Sequence, residues 1–165
     1  MTGRTISHYQ ILEKLGQGGM GVVYKARDVK LDRSVALKFL SPSALPSDDD
    51  KARFFREAKA AASLSHPNIC TIHEIDETKP ASGEPGGRAF IAMEYVEGET
   101  LAERLGTRSS EAEILAIARQ AGAALLHAHQ KGVVHRDIKP ENIVLTGGGH
   151  LEILDFGIAK RAVGA

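Results

Sequence analysis

The sequence predicts an α+β protein in which a β-rich segment is followed by a helical one. Three observations carry that prediction. Apolar and polar residues alternate along short runs before Tyr95, a single helical stretch interrupts those runs, and two capping boxes open helices soon afterwards. The strand candidates are residues 9–15, 22–27, 34–40, 71–76 and 88–94. Between the third and fourth, residues 49–64 place Phe54, Phe55, Ala58, Ala61 and Ala62 on an apolar helical face. Ser47 and the acidic run Asp48-Asp49-Asp50 suit the start of that helix, and His66-Pro67 suits its end. Residues 79–87 are turn chemistry throughout. Thr100 with Glu103 and Ser110 with Glu113 are the two capping boxes, the second opening a helix that runs to about Gln130. Val133-Val134 reads as a short strand, and 143–145 with 151–154 as a hairpin around Gly147-Gly148-Gly149.

The length of 165 residues suits one domain with a real apolar core. Its 21 basic and 21 acidic residues balance, so composition gives no general reason to expect nucleic acid or an anionic membrane as a partner. Cys70 is the only cysteine, which excludes an internal disulfide framework and fits a reducing cytosol. Met1-Thr2-Gly3-Arg4 has neither a signal core nor the glycine at position two that myristoylation needs. No stretch is apolar enough to span a bilayer. The expected location is therefore cytoplasmic, with any membrane anchor of a longer parent protein lying outside this stretch.

The chemistry concentrates in His135-Arg136-Asp137-Ile138-Lys139-Pro140-Glu141-Asn142, followed by Asp155-Phe156-Gly157. Phosphoryl transfer needs in-line positioning and cancellation of charge on phosphate oxygens more than covalent help. Asp137 is suited to accept the proton of an attacking hydroxyl, and Asn142 and Asp155 offer hard oxygen ligands for Mg²⁺. Upstream, Leu15-Gly16-Gln17-Gly18-Gly19-Met20-Gly21-Val22-Val23 is a glycine-rich loop whose backbone N–H groups can meet a polyphosphate. A dinucleotide-binding version would open a helix. Here Val22-Val23-Tyr24 continues as a strand, so the loop reads as a hairpin closed over phosphates.

These motifs, together with Val35-Ala36-Leu37-Lys38 and Glu57 in the same order, resemble the eukaryotic-type serine/threonine protein kinase domain, including its bacterial members. The resemblance runs from about Tyr9 to the end of the sequence. It implies a two-lobe fold: a β-rich N-lobe over about 9–94, a hinge over 95–99 and the beginning of a helical C-lobe over 100–165. The sequence is read as a domain truncated shortly after Asp-Phe-Gly, with the Ala-Pro-Glu element not included. The activity implied is transfer of the ATP γ-phosphate to a serine or threonine hydroxyl of a protein substrate, with ATP and Mg²⁺ bound between the lobes.

Residue by residue, the resemblance implies that Lys38 contacts the α- and β-phosphates and that Glu57 holds it. It puts Val23 and Ala36 against adenine, Met93 at the back of the pocket, and the backbone of Glu94 and Val96 at the adenine edge. Lys139 would neutralise charge near the transferring phosphate and favours a serine or threonine acceptor over tyrosine. Arg136 implies control by phosphorylation of the activation segment. His127, His129 and His135 invite a zinc reading, but His127 and His129 lie two apart and share no helical face. His135 instead fits packing near Phe156, and His66 a structural role.

Two other readings stand beside the kinase: a catalytically inactive ATP-binding or regulatory fragment, and a small-molecule phosphotransferase of related fold. The surroundings of Asp137, with Arg136 and Lys139-Pro140-Glu141, favour the protein kinase. Helix 111–130 carries more apolar residues than one face needs, among them Ile114, Leu115, Ile117, Leu125 and Leu126. The 165-residue polypeptide is therefore expected to be aggregation-prone, dimeric through this surface or only partly ordered after about Leu105, and to show little or no activity alone.

Overall fold

Alternating apolar side chains draw the early strands into a single antiparallel sheet. A computed structural model describes residues 2–79, 87–106 and 109–156 of the chain. Most of the turn-rich stretch 79–87 and Gly157 of the Asp-Phe-Gly motif lie outside these described residues. The residues group into two compact units. One holds the described residues of 2–55 and 72–95, and the other those of 56–71 and 96–156.

In the first unit, β1 (Thr5–Ile6), β2 (Tyr9–Gly18), β3 (Gly21–Asp28), β4 (Arg33–Leu40), β5 (Ile72–Glu77) and β6 (Ala89–Glu94) form a six-stranded sheet ordered β1-β2-β3-β4-β6-β5. All five strand candidates are present, each within a few residues of its expected bounds. Side chains that alternate along these strands meet on one face. Tyr9, Ile11, Ala26, Val35, Leu37, Phe39, Phe90 and Ala92 form a buried core there. Each large member contributes on the order of 1.5–3 kcal/mol by leaving water. The rings of Phe39 and Phe90 lie 5.7 Å apart, and Phe90 meets Tyr9 edge-on at 6.2 Å.

Between β4 and β5 runs α1 (Asp48–Ala62). The Ser47 hydroxyl accepts from the Asp50 N–H at 3.1 Å, and Asp48, Asp49 and Asp50 fill the first turn, where the macrodipole favours anions. Of its expected apolar face, Phe54, Ala58 and Ala61 are buried, whereas Ala62 is exposed. Residues 56–71 group with the second unit, whereas the sequence-based boundary puts them with the sheet. Backbone pairing supplies a reason: the Cys70 N–H donates to the Ile153 carbonyl at 3.0 Å, and the Ile153 N–H to the Asn68 carbonyl at 2.9 Å.

The second unit contains β7 (Glu99–Thr100), α2 (Leu101–Arg104), α3 (Glu111–Gln130), β8 (Ile143–Leu145) and β9 (Leu151–Ile153), with a small sheet ordered β7-β8-β9. Both capping boxes form: Thr100 and Ser110 accept from the N–H groups of Glu103 and Glu113, whose side chains reach back to the cap N–H groups. Those hydrogen bonds hold the Glu103 and Glu113 carboxyls below their ordinary range.

One expected element is corrected: Val133-Val134 is not a strand. Gly132 takes a left-handed φ of +76°, and the Val133 N–H turns back to the Ala128 carbonyl at 2.9 Å, so the pair closes the C-terminus of α3. A helix-ending motif has overridden β-branched propensity. Along α3 only Ala124 and Ala128 are fully buried, while Ile114, Leu115 and Leu126 are each more than half exposed. His66 and His127 stack obliquely with ring centroids 5.2 Å apart. Burial, and then the charge of His127, hold the His66 imidazole below its ordinary value of 6.5.

These contacts bear on stability in two measurable ways. Gly21 has φ +146° and a Cβ there would come within 1.9 Å of the Phe39 carbonyl oxygen, whereas a Cβ at Gly19 would meet nothing. Gly21→Ala should therefore cost about 1–3 kcal/mol in denaturant unfolding, with Gly19→Ala close to neutral. Equal effects would contradict the assigned clash. The second concerns acid. His66 Nδ1 accepts from the Asn68 N–H at 3.1 Å, which only an unprotonated nitrogen can do. A histidine held low in the fold stabilises it above its unfolded value of 6.5, and that contribution is lost as pH falls below it. The thermal midpoint should therefore drop between about pH 7.5 and pH 5.5, and His127→Phe should reduce the drop. A residual drop is expected from His73, also held low, chiefly by burial. An undiminished drop in His127→Phe would show that the pair is not the cause.

Candidate active site

In the first unit, the sheet has a second face opposite its core. In the antiparallel register Val23 and Ile91 stand directly across from Lys38, and Met93 stands across from Ala36. By the two-residue period these side chains share one face, the reverse of that carrying Val35, Leu37 and Phe39. Lys38, Ala36 and Met93 are all buried, so β4 is covered on both sides. The glycine-rich loop is the turn of the β2–β3 hairpin, with Gly16 across from Val23 and Gly18 across from Gly21. Its tip is thus tied by register to the strand position beside Lys38. A Cβ placed at Gly16, Gly18 or Gly19 would meet nothing within 4 Å, so packing does not explain glycine at those positions.

Within the second unit, the loop after α3 gathers polar side chains. His135 is buried and bridges two backbone segments. Its Nδ1 accepts from the Asp137 N–H at 3.2 Å, and its Nε2 lies 2.7 Å from the Leu154 carbonyl oxygen. These partners fix a neutral ring with the proton on Nε2, donating to Leu154. Phe156 meets the same ring edge-on at 4.7 Å, the packing expected for His135. Asn142 completes the frame. Its Nδ2 donates to the Asp137 carbonyl at 2.9 Å, and its backbone oxygen accepts from the Leu154 N–H at 2.8 Å. Lys139 Nζ stands 3.3 Å from Asp137 Oδ2. Asp137, Lys139 and Asn142 are thereby gathered on one loop, and two of its residues pin the backbone one residue before Asp155. Asp155 itself takes a left-handed φ of +60°, and Arg136 one of +66°.

Arg136 makes a contact that sequence spacing does not signal: its Nη1 donates to Glu57 Oε1 at 3.0 Å. The pair is partly exposed on both sides, so its net contribution is modest, about 0–1 kcal/mol. It nevertheless gives the Glu57 carboxylate a definite partner within this unit. The Asn142 amide nitrogen is engaged by the Asp137 carbonyl. Among the described residues no three His, Cys, Asp or Glu side chains converge as a metal cluster. His127 stacks on His66 instead. No helix of the described residues is long and apolar enough to cross a membrane.

Comparison with known proteins gives a consistent picture. The protein kinase domain family matches residues 9–165. The chain is 44% identical to the serine/threonine-protein kinase PrkC of Bacillus subtilis over 162 residues, covering 96% of this chain and 24% of that protein. It is 41% identical to the serine/threonine-protein kinase PknD of Mycobacterium tuberculosis, covering 97% of this chain and 23% of that protein. The chain thus spans about a quarter of the length of these curated relatives. Among solved structures, the kinase domain of Mycobacterium tuberculosis PknI superposes with a TM-score of 0.81 at 37% identity, covering 97% of this chain and 64% of that one.

The histidine bridge generates a direct test. His135→Leu removes the partners of the Asp137 N–H and the Leu154 carbonyl while keeping an apolar side chain beside Phe156. Leaving these part-buried backbone groups unpaired should cost up to about 1–3 kcal/mol each, read as a lowered thermal midpoint. An unchanged midpoint would show that the bridge does not hold the loop.

Proposed function

We propose a function for this chain on one established premise: it belongs to the protein kinase family, and its relatives are serine/threonine kinases. The proposed reaction is transfer of the ATP γ-phosphate to a serine or threonine hydroxyl of a protein substrate. The observation that supports it most is the loop in which Asp137, Lys139 and Asn142 are gathered by side-chain contacts of 2.9–3.3 Å and tied through Leu154 to the segment bearing Asp155. A phosphoryl-transfer site requires a base, a cation and metal ligands in such fixed proximity.

In this reading, the acceptor oxygen forms its bond to the γ-phosphorus while its proton passes to the Asp137 carboxylate. The bond from that phosphorus to the bridging oxygen breaks, and ADP departs. Lys139 offsets negative charge on the transferring group. Asn142 Oδ1 and the Asp155 carboxylate would hold Mg²⁺, which when bound draws charge from the phosphate oxygens. Lys38 is assigned to the α- and β-phosphates, and Glu57 is assigned to orient it. Open space at Gly16, Gly18 and Gly19 supports a backbone that phosphates approach closely, in the loop from Leu15 through Gln17, Met20 and Gly21 to Val22. Val23 and Ala36 are assigned to adenine contact, Met93 to the back of that pocket, and the backbone of Glu94 and Val96 to the adenine edge. The domain is read as an N-lobe over about 9–94, a hinge over 95–99 and C-lobe residues 100–165.

Three substitutions in the full-length protein separate the roles. Asp137→Asn keeps size and hydrogen bonding but not basicity, so transfer should fall at least about 10²-fold with nucleotide affinity nearly unchanged. Asp155→Asn should in addition raise the Mg²⁺ concentration needed for nucleotide binding, because a charged metal ligand is lost. Lys38→Met should weaken ATP binding, transfer or both. Turnover by Asp137→Asn close to that of the unsubstituted protein would refute the base assignment.

A further inference from the structure

Asp155 is delivered by β9, and β9 leaves a turn that specifies little by itself. Gly147, Gly148 and Gly149 form that turn, with left-handed φ values of +78° at Gly148 and +79° at Gly149. Three consecutive glycines admit many backbone paths between β8 and β9. Thr146 closes the turn, its N–H donating to the His150 carbonyl at 2.8 Å and its hydroxyl at 3.3 Å, and an amide on α3 adds a second constraint. Gln120 Oε1 accepts from the Leu151 N–H at 2.9 Å, and its Nε2 donates to the Gly149 carbonyl at 2.8 Å. The side chain therefore grips the backbone on both sides of His150, the residue just before β9, as a backbone neighbour would.

A second amide locks the first. Asn68, 7% exposed, donates through Nδ2 to Gln120 Oε1 at 3.0 Å and to the Leu151 carbonyl at 2.7 Å. The acceptor oxygen of Gln120 thus serves two donors, and only the amide orientation with nitrogen toward Gly149 satisfies all of them. The Asn68 backbone carbonyl also accepts from the Ile153 N–H at 2.9 Å. Leu151 and Ile153 are fully buried, so this entry point and register are fixed together.

We propose that Gln120 is a positioning residue for Asp155, acting through the Gly149–Leu151 grip to set where β9 presents that carboxylate to a metal–nucleotide complex. This rests on the reading of Asp155 as a Mg²⁺ ligand. Gln120 touches neither metal nor substrate in this role. Outer partners of a metal ligand typically change metal affinity by about 10–100-fold, and Gln120 stands further out, so the lower end applies.

The test is a Mg²⁺ titration of the binding of a fluorescent ATP analogue to the full-length protein, alongside binding of the same analogue without metal. Gln120→Leu should raise the Mg²⁺ concentration for half-maximal enhancement about tenfold and leave metal-free binding unchanged. Gln120→Glu keeps an acceptor for Leu151 but loses the donor to Gly149, and should shift the titration by a smaller factor. If Gln120→Leu does not fold, the Gln120→Glu shift decides alone. An unshifted titration, or a loss of metal-free binding in the same proportion, overturns the inference. Asp155→Asn is the reference. A shift there without one in the Gln120 variants defeats this inference only, whereas no shift in Asp155→Asn defeats the metal-ligand reading and this inference with it.

Discussion

The site depends on one neutral imidazole. His135 accepts from the Asp137 N–H and donates to the Leu154 carbonyl, so the segment carrying the proposed base and the one leading to the proposed metal ligand share a single rigid intermediary. A protonated ring would lose the acceptor, and an apolar side chain of similar size would lose both bonds. Asn142 repeats the arrangement, donating to Asp137 through its side chain and accepting from Leu154 through its backbone. The left-handed conformations of Arg136 and Asp155 lie beside these bridges. Such backbone costs of order 1 kcal/mol or more per residue persist only where surrounding contacts over-determine them, and here those contacts are visible.

The first unit solves a different problem, that of placing a cation on a strand without losing the strand. β4 buries Val35, Leu37 and Phe39 on one side and Ala36 and Lys38 on the other. An ammonium in such a position carries a desolvation cost that must be met by an anionic partner. In the proposed function, phosphate and Glu57 supply that charge. In the glycine-rich turn Gly21 answers to the Phe39 carbonyl, whereas a Cβ at Gly16, Gly18 or Gly19 would meet nothing among the described residues. Constraint by the fold thus falls on Gly21, and in the proposed function constraint by a ligand falls on the other glycines of the same loop.

Local signals were legible because local physics produces them. The capping boxes at Thr100 and Ser110 form as the side-chain spacing predicts, since a hydroxyl and a carboxylate three residues apart satisfy each other's backbone groups. Two-residue alternation put Ala36 and Lys38 on one face, and the register confirms that shared face with Val23. Where tertiary contact decides, the sequence misled or was silent. Val133-Val134 has strand propensity but spends its first N–H closing α3. The Arg136–Glu57 pair joins residues 79 apart, and the Gln120–Leu151 bond joins residues 31 apart. No spacing rule announces either. β7 was missed because two residues are too few to show a period; pairing with β8 defines it.

In the proposed function, Asn142 and Asp155 hold the metal of a nucleotide complex beside Asp137. Paramagnetic relaxation by Mn²⁺ in place of Mg²⁺ tests it most directly, read from the backbone amide resonances of the full-length protein with and without an ATP analogue. The expected result is nucleotide-dependent broadening centred on Asp137, Asn142 and Asp155. Broadening centred elsewhere, or none at Asn142 and Asp155 when nucleotide is present, would contradict it.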